Sequence, residues 1–317
     1  MLLLNDPYLF KNTIEIVSRN LHISQSYIEK DYYAISILKE LVSRDSKFVF
    51  KGGTSLSVCQ KAINRFSEDI DISYQDEVIT TGQRKRIKQH FFDAIEAVSL
   101  SVSNPDNIRS RMVFNRYICP YKSAFNDIDD QVIVEWAVIT PSFPIEKKEA
   151  QTIIGKYLTD IGQTELVKKY GLESFTVKTL TKTRTLVDKI FAICDHHLTG
   201  KLDRQSRHIY DIHQLLSLVK LNDEFLDVFK RVKDYRINLE TCPSAKEGMV
   251  ISDLLGELIE KNTFRGDYNT KTFPLLYDRI PYEKCIPSLK AISTFLKEHN
   301  LWLLTIFILD KVDEVFF

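Results

Sequence analysis

The sequence has no excess of either charge, no disulfide pattern and no apolar run long enough to cross a membrane. Lys plus Arg and Asp plus Glu each number 43 in 317 residues, so a nucleic-acid partner would need a local basic surface. The five cysteines are widely spaced and form no CxxC pair, which argues against a disulfide framework or a zinc ribbon. No stretch approaches the ~20 apolar residues of a membrane span, and the apolar start is too short for a signal peptide. We therefore expect a cytoplasmic protein with no membrane partner.

The pattern of apolar residues predicts two domains of different class. Short strand patterns and helical spacing alternate in the first half, and helical spacing dominates from about residue 149 onward, with the domain boundary near 160–180. The predicted strands are 48–50, 69–73, 111–119, 131–139 and 175–177. The predicted helices are 7–20, 25–44, 54–62, 83–99, 182–198, 203–219, 222–235, 247–262, 283–297 and 301–315. We predict an α+β fold, with a small mixed sheet flanked by helices over 1–170 and a C-terminal helical bundle over 171–317.

The second predicted helix has two candidate N-caps. Ser26 is favoured because Glu29 follows three residues later, as in a capping box, and Ser24 is the alternative. One face of this helix is apolar and should be buried; it carries Ile28, Tyr32, Ile35, Leu38 and Val42.

Two glycines, Gly52 and Gly53, stand between a predicted strand and a predicted helix. Glycine lets the backbone approach a ligand closely, and the unpaired N–H groups of a helix start suit a phosphate. Thr54 and Ser55 add hydroxyl groups at the same place. The spacing is not that of a P-loop, and a glycine pair by itself is most often an ordinary turn.

Asp69 and Asp71 alternate with isoleucines in a predicted strand, which places both side chains on one face. Two carboxylates so close repel each other, and Mg²⁺, which prefers carboxylate and phosphate oxygens, would relieve that repulsion. Glu135 is the one acid in an otherwise apolar predicted strand and is the candidate third ligand; pairing with a buried arginine is the alternative. Ser67 would share this face if the strand already runs there, and otherwise it caps a turn.

These motifs resemble those of the AbiEii/AbiGii toxin family in the polymerase-β-type nucleotidyltransferase superfamily. The closest matches are FKGGTSL at 50–56 and RFSEDIDI at 65–72. The segment IEKDYYAISILKEL at 28–41 is similar to the one that precedes the family's glycine loop. TLVDKI at 185–190 resembles the family's lysine-bearing helix, and RHIYDI at 207–212 resembles its helix with a functional aspartate.

The resemblance covers about 25–220 and implies a Mg²⁺-dependent nucleotidyltransferase domain joined to a helical domain. Members are often toxins of type IV toxin–antitoxin or phage-defence systems, and some transfer nucleotide to tRNA. The resemblance implies that Asp69 and Asp71 ligate Mg²⁺. It also implies that Lys189 neutralises phosphate charge and that Asp211 orders the catalytic surroundings, so that the helical domain contributes to the active-site cleft.

The resemblance also implies which residues bind the nucleoside triphosphate. Gly52, Gly53 and Thr54 would contact its phosphates. Arg65 and Ser67, from the second motif, are assigned to the same binding site.

Two segments have a local excess of basic residues that could contact RNA. One is 84–88, RKRIK, and the other is 178–207, which holds Lys178, Lys182, Arg184, Lys189, Lys201, Arg204 and Arg207. A run of charge is more often a solvated face, so these segments support an RNA partner without establishing one.

Two other functions stay open. A small-molecule nucleotidyltransferase, of the kind that modifies aminoglycosides, would need an acidic acceptor pocket. A non-catalytic binding module on the same fold would be favoured by loss of the aspartate pair, which is intact. The histidines at 196, 197, 208 and 213 fit no zinc spacing, which disfavours a metal-dependent phosphohydrolase. We predict nucleotidyl transfer to RNA, with tRNA the leading acceptor, by a toxin whose partner is an antitoxin protein.

Overall fold

The chain forms two compact units. The computed structural model describes residues 1–67, 69–110, 114–125, 129–138 and 140–313. The first unit comprises Met1–Lys61 and Phe66–Thr181, and the second comprises Ala62–Arg65 and Lys182–Phe317. The division falls after Thr181, later than the expected residue 170, and the short segment Ala62–Arg65 belongs with the helices.

A seven-stranded mixed sheet forms the centre of the first unit, in the order β3-β4-β5-β2-β1-β7-β6. Its strands are β1 (Phe48–Lys51), β2 (Asp69–Tyr74), β3 (Arg109–Ser110), β4 (Phe114–Lys122), β5 (Asp129–Ala137), β6 (Ile145–Ala150) and β7 (Phe175–Leu180). β2 pairs in parallel with β5, and β1 pairs in parallel with β7, whereas the other neighbours are antiparallel. The expected mixed sheet is confirmed.

Helices cover one face of this sheet. Those of the first unit are α1 (Pro7–Leu21), α2 (Gln25–Arg44), α3 (Gly52–Val58), α4 (Thr81–Ala97), α5 (Ile153–Asp160) and α6 (Thr164–Lys169). Phe91 of α4 stacks on Tyr117 of β4 with ring centroids 4.8 Å apart, and it meets Phe48 of β1 edge-on at 5.5 Å. α2 contacts β2 and β5, so alternate strand residues are buried beneath these two helices.

The cap of α2 is Ser24, the second of the two candidates. The Ser24 hydroxyl accepts a hydrogen bond from the Tyr27 N–H at 3.4 Å. Glu29 does not close a capping box with Ser26, because its carboxylate is buried and accepts from the Ser123 hydroxyl and the Ala124 N–H. The predicted apolar face of α2 is confirmed, because its first four residues are buried and the last is half-buried.

The second unit is a helical bundle, as predicted. Its helices are α7 (Lys182–Thr199), α8 (Arg207–Leu216), α9 (Asp223–Arg236), α10 (Ile251–Glu260), α11 (Arg265–Asp267) and α12 (Tyr282–Asp313). α7 contacts α8, α9 and α10, and α12 contacts α8 and α10, so each long helix buries one apolar face. The predicted helices 283–297 and 301–315 are one helix, α12, as far as Asp313.

The sequence did not indicate β6. Its residues, IEKKEA, are mostly charged, and the strand lies at an edge of the sheet, where charged side chains are common. Parts of two predicted strands, 111–113 and 139, lie outside the described residues. In the part of the chain that the structure describes, no helix combines the length and apolarity required to cross a membrane.

Candidate functional site

The glycine loop touches the aspartate strand. Gly52 has φ +74°, and a Cβ atom at this position would lie 1.9 Å from the Asp71 Oδ2 atom. A side chain here would therefore be strained in its backbone and would collide with the carboxylate. Glycine is required at position 52 because the backbone passes directly over Asp71.

Asp69 and Asp71 lie two apart on β2 and share one half-buried face, as predicted, while Ile70 and Ile72 are buried on the other. β2 pairs with β5 in a register that sets Asp71 beside Glu135. The three acidic residues therefore stand together on the face of the sheet that α2 and α4 leave uncovered.

Two cations that the sequence motifs did not predict as site residues flank these carboxylates. In the strand register Lys51 is paired with Asp71, Asp71 with Glu135, and Glu135 with Arg116. Directly paired residues share a face, so Lys51, Asp71, Glu135 and Arg116 form one row across four adjacent strands. We call these four residues the charged row. The Arg116 Nε atom lies 3.6 Å from the Glu135 Oε1 atom, and the Arg116 side chain is 49% exposed.

The electrostatics of the charged row suit a divalent cation. Burial, followed by the charges of Asp71 and Asp69, raises the pKa of Glu135 to about 7, although Arg116 and Lys51 act against this rise. By position, three carboxylates on this face stand beside two cations, an arrangement in which a hard cation would add the balancing charge. Within the described ranges, no three or more His, Cys, Asp or Glu side chains are already arranged to hold a metal ion. A metal would therefore need oxygens from its substrate or from water as well, which is usual for Mg²⁺.

Two residues assigned to the nucleotide have other surroundings. The Thr54 side chain is buried, and its hydroxyl donates to the backbone carbonyl of Asp69 at 2.5 Å. Because its one O–H donor is used in this way, Thr54 can offer a phosphate only its backbone N–H. Ser67 precedes the first residue of β2, so the condition under which it would share the face of the two aspartates is not met.

A buried ionic cluster occupies the helical unit. Both Asp211 carboxylate oxygens accept from Arg65, from Nε at 2.7 Å and from Nη2 at 2.7 Å. The Lys189 Nζ atom donates to Asp211 Oδ2 at 2.6 Å. All three residues are buried: Arg65 is 3% exposed, Lys189 is 5% exposed and Asp211 is fully enclosed. The structure thus brings Lys189 and Asp211 together and adds Arg65 as their partner.

This cluster keeps a surplus of positive charge. Burial alone would raise the pKa of Asp211, but the charges of Arg65 and then Lys189 outweigh it and hold that pKa below its usual value. Burial lowers the pKa of the Lys189 ammonium, and Asp211 opposes that effect. With two cations on one carboxylate the cluster has a net charge of +1 when Lys189 is protonated.

The segment Ala62–Arg65 is held within the helical unit at several further points. The Asn64 N–H donates to the Tyr210 hydroxyl at 3.1 Å, and the Asn64 carbonyl accepts from the Tyr277 N–H at 3.1 Å. Arg65 also forms a β-bridge with Leu276. The fixed position of Arg65 therefore rests on backbone contacts as well as on its bond to Asp211.

One sequence expectation for the helical unit changes. Arg184, expected in a basic wall for RNA, is 1% exposed and pairs with Asp188 at 3.1 Å, so it is an internal residue. His196 and His208 stack with ring centroids 6.0 Å apart. Burial lowers the pKa of both imidazoles, and the nearby Lys189 and Arg207 charges add to that effect at His208. Burial therefore disfavours the charged form of both rings, which stack between α7 and α8.

Comparisons with known proteins show the family and the fold of the chain. A family model described as the nucleotidyl transferase AbiEii toxin of a type IV toxin–antitoxin system matches residues 36–294. The structure of MenT4, a nucleotidyltransferase toxin from Mycobacterium tuberculosis, is similar with a TM-score of 0.58 and 17% identity, covering 90% of this chain and 89% of that one. A Helicobacter pylori protein provisionally named a nucleotidyltransferase is similar with a TM-score of 0.50 and 16% identity, covering 89% of this chain and 99% of that one. At these identities the likeness shows the fold, and no curated protein matches the sequence.

Proposed function

The chain belongs to the AbiEii family of nucleotidyltransferase toxins, and we propose that it transfers a nucleoside monophosphate from a nucleoside triphosphate to RNA. The single observation that carries this proposal is the approach of the Gly52 backbone to Asp71, because it sets a loop suited to phosphate against a carboxylate pair. A glycine pair alone, or an aspartate pair alone, would not imply transfer.

Asp69 and Asp71 would hold Mg²⁺, with Glu135 as the third candidate ligand. When bound, the metal supplies positive charge at the oxygens that carry negative charge in phosphoryl transfer. The fit rests on the strand register, which sets Glu135 beside Asp71 on the face of the sheet that Asp69 shares. The donors are carboxylates, which are the side chains that this ion prefers.

The protein's own contribution is to bind and align the reactants. The backbone N–H groups at Gly52, Gly53 and Thr54 would hold the triphosphate, with its α-phosphorus beside the aspartates. An acceptor hydroxyl then forms a bond to the α-phosphorus and releases its proton to water, while the bond to the β-phosphate breaks and pyrophosphate leaves. Alignment and electrostatic stabilisation would account for most of the rate.

Lys189 would act on the same substrate through the surplus charge of its cluster. The motif resemblance supports this assignment, as does the presence of Arg65 in the same sequence motif as Asp69. Arg65 and Asp211 would then hold Lys189 in place. The expected direct contact of Arg65 with the nucleotide is thereby revised to a positioning role, because two of its N–H groups already donate to Asp211.

The acceptor would be RNA, with tRNA the leading candidate, and the protein would act in the cytoplasm. Exposed basic residues are present in both predicted segments, among them Lys85, Arg86 and Lys88 on α4 and Lys201 and Arg204 before α8. Modification of an RNA that every cell needs would stop growth. A toxin of this kind is kept in check by an antitoxin, which is the protein partner that we propose.

Labelling of RNA tests the proposal. The protein is incubated with Mg²⁺, total RNA and each α-labelled nucleoside triphosphate in turn, and the RNA is separated by size. We expect one class of small RNA to be labelled by the wild type, and no labelling by Asp69→Asn, which removes a metal-binding charge with little change in volume. Undiminished labelling by Asp69→Asn would refute the mechanism. Labelling of a small-molecule acceptor but never of RNA would support the aminoglycoside-like alternative.

A further inference from the structure

Arg116 lies at one end of the charged row, and none of the sequence motifs includes it. Reading across the strands from β1 to β4, the row runs Lys51, Asp71, Glu135, Arg116, so each carboxylate has a cation on its outer side. With Asp69 added, three carboxylates face two cations. In the absence of a metal these cations are what allow acidic side chains to stand side by side.

The ion pair between Arg116 and Glu135 is weak enough for either partner to exchange it for another ion. Nε lies 3.6 Å from Oε1, which is beyond hydrogen-bond distance, and half of the arginine side chain is open to solvent. Exposed ion pairs of this kind contribute about 0–1 kcal/mol. A divalent cation at the carboxylates would replace the guanidinium as the counter-charge of Glu135 and would also repel it. Arg116 would then be able to pair with another anion.

The position of Arg116 in the sheet indicates which anion that is. The glycine loop follows β1, whereas Arg116 is on β4, and three strand spacings, about 14 Å, separate them. In an in-line transfer the leaving pyrophosphate and the attacking oxygen lie on opposite sides of the phosphorus. If the triphosphate is held at the glycine loop, Arg116 is on the side from which the acceptor arrives.

We propose that Arg116 is an exchangeable counter-cation, which pairs with Glu135 in the metal-free protein and binds a backbone phosphate of the acceptor RNA once a divalent cation is bound. This inference rests on the proposed function, since it requires an RNA acceptor. RNA binding would then depend on the metal, because the protein would have its highest affinity for the acceptor RNA when the divalent cation is bound.

The first test measures metal affinity without nucleotide or RNA. Mn²⁺ is titrated into the nucleotide-free full-length protein, and the free ion is followed by electron paramagnetic resonance. Arg116→Met should bind Mn²⁺ about three- to tenfold more tightly than the wild type, because a competing positive charge is gone. Arg116→Lys, which keeps the charge, should stay near the wild type. Unchanged or weaker Mn²⁺ binding by Arg116→Met would overturn the exchange.

A matched control is available on α1. Arg19 pairs with Glu15 at the same distance as the test pair, 3.6 Å, and its side chain is 74% exposed. Arg19→Met therefore removes a like charge from a like ion pair outside the charged row, and we expect no change in Mn²⁺ affinity. Circular dichroism and thermal unfolding of each variant establish that it is folded before it is titrated.

The second test measures RNA binding with Mn²⁺ present and no nucleoside triphosphate. For Arg116→Met we expect weaker RNA binding and a slope of log affinity against log salt that is shallower by about 0.7–1, the loss of one phosphate contact. Affinity for the nucleoside triphosphate should be unchanged. Weaker nucleotide binding with unchanged RNA binding would overturn the inference, because the anion would then be the triphosphate.

The two proposals fail in different ways. If the wild type labels no RNA with any nucleotide, the proposed function fails. If the wild type labels RNA and Arg116→Met equals it in Mn²⁺ affinity, RNA affinity and salt slope, only the role of Arg116 fails.

Discussion

At position 52 the absence of a side chain decides whether the aspartate strand can lie against the glycine loop. The backbone there has φ +74°, and the space that a Cβ would fill is occupied by the Asp71 carboxylate. Gly162 has nearly the same conformation, φ +77°, but nothing lies within 4 Å of the place where its Cβ would stand. Substitutions at these two glycines therefore distinguish the cost of backbone strain, present at both, from the cost of collision with a side chain, present only at Gly52.

We expect Gly162→Ala to lose about 1–2 kcal/mol of unfolding free energy from strain alone, with transfer activity retained. Gly52→Ala should lose more, because Asp71 must move, and its activity should fall about 10²-fold or further since misplaced catalytic groups are costly. Urea unfolding and the labelling rate measure the two effects. Equal activity in the two alanine variants would contradict the proposed contact.

The buried carboxylate of Asp211 should contribute far more to the free energy of unfolding than an exposed carboxylate does. In Asp211→Asn two buried cations lose their charged partner, and we expect a loss of about 3–5 kcal/mol in unfolding free energy. Asp160→Asn is the control, because Asp160 pairs with Lys156 at 2.9 Å on the surface. That change should cost less than about 1 kcal/mol. Similar losses in urea unfolding would show that the buried cluster is not a stabilising unit.

The pH dependence of the Asp211 effect has a definite sign. Because Arg65 and Lys189 hold the pKa of Asp211 below its usual value, the contribution of this carboxylate is present above that usual value. It is lost as the pH falls toward the folded pKa. The gap in unfolding free energy between wild type and Asp211→Asn should therefore be largest near pH 7 and should shrink on acidification, which unfolding curves at a series of pH values measure.

Among the elements, α2 shows how a local sequence pattern can favour the wrong N-cap residue. The capping-box spacing favoured Ser26, but Glu29 is drawn into the interior by Ser123 and Ala124 on another part of the chain. The Ser24 hydroxyl then caps the Tyr27 N–H. A tertiary contact thus removed the partner on which the local motif depended.

Ser24→Ala should cost about 1 kcal/mol of unfolding free energy, the usual value of an N-cap, and Ser26→Ala should cost less. The comparison is between two serines of the same helix end, so helix propensity is nearly matched. Chemical unfolding of both variants measures the difference. A larger loss from Ser26→Ala would mean that the capping box forms in solution.

For the molecule as a whole, binding of RNA and chemistry on RNA should be separable. Lys201 and Arg204 are exposed, whereas Arg184 is internal and cannot contact RNA. Replacing Lys201 and Arg204 by Gln should weaken RNA binding and make its salt dependence shallower, because fewer counterions are released. Labelling should recover at high RNA concentration, unlike that of Asp69→Asn.

The control replaces Lys220 and Lys230 by Gln, since both are exposed on the helical unit outside the two basic segments. This variant loses the same net charge, and we expect its salt slope to match that of the wild type. If both double variants behave alike, the effect is one of overall charge rather than of a binding surface.

The sequence by itself determined the elements and the motif residues. The alternation DIDIS predicts a strand with both aspartates on one face, and periodic apolar residues predict most helices, because these patterns depend only on neighbours along the chain. The charged strand β6 carries no such pattern and was missed. The family motifs likewise identified Lys189 and Asp211 as residues of interest, without their surroundings.

The tertiary structure decided which of these residues meet. Strand register places Glu135 between Asp71 and Arg116, and no local pattern fixes the register of strands that are distant in the chain. Arg65 and Asp211 are 146 residues apart, and their pairing follows from burying both charges in one place, where each needs the other. Local preferences select elements, whereas the cost of burying unpaired charge selects partners, and the second is visible only once the chain is folded.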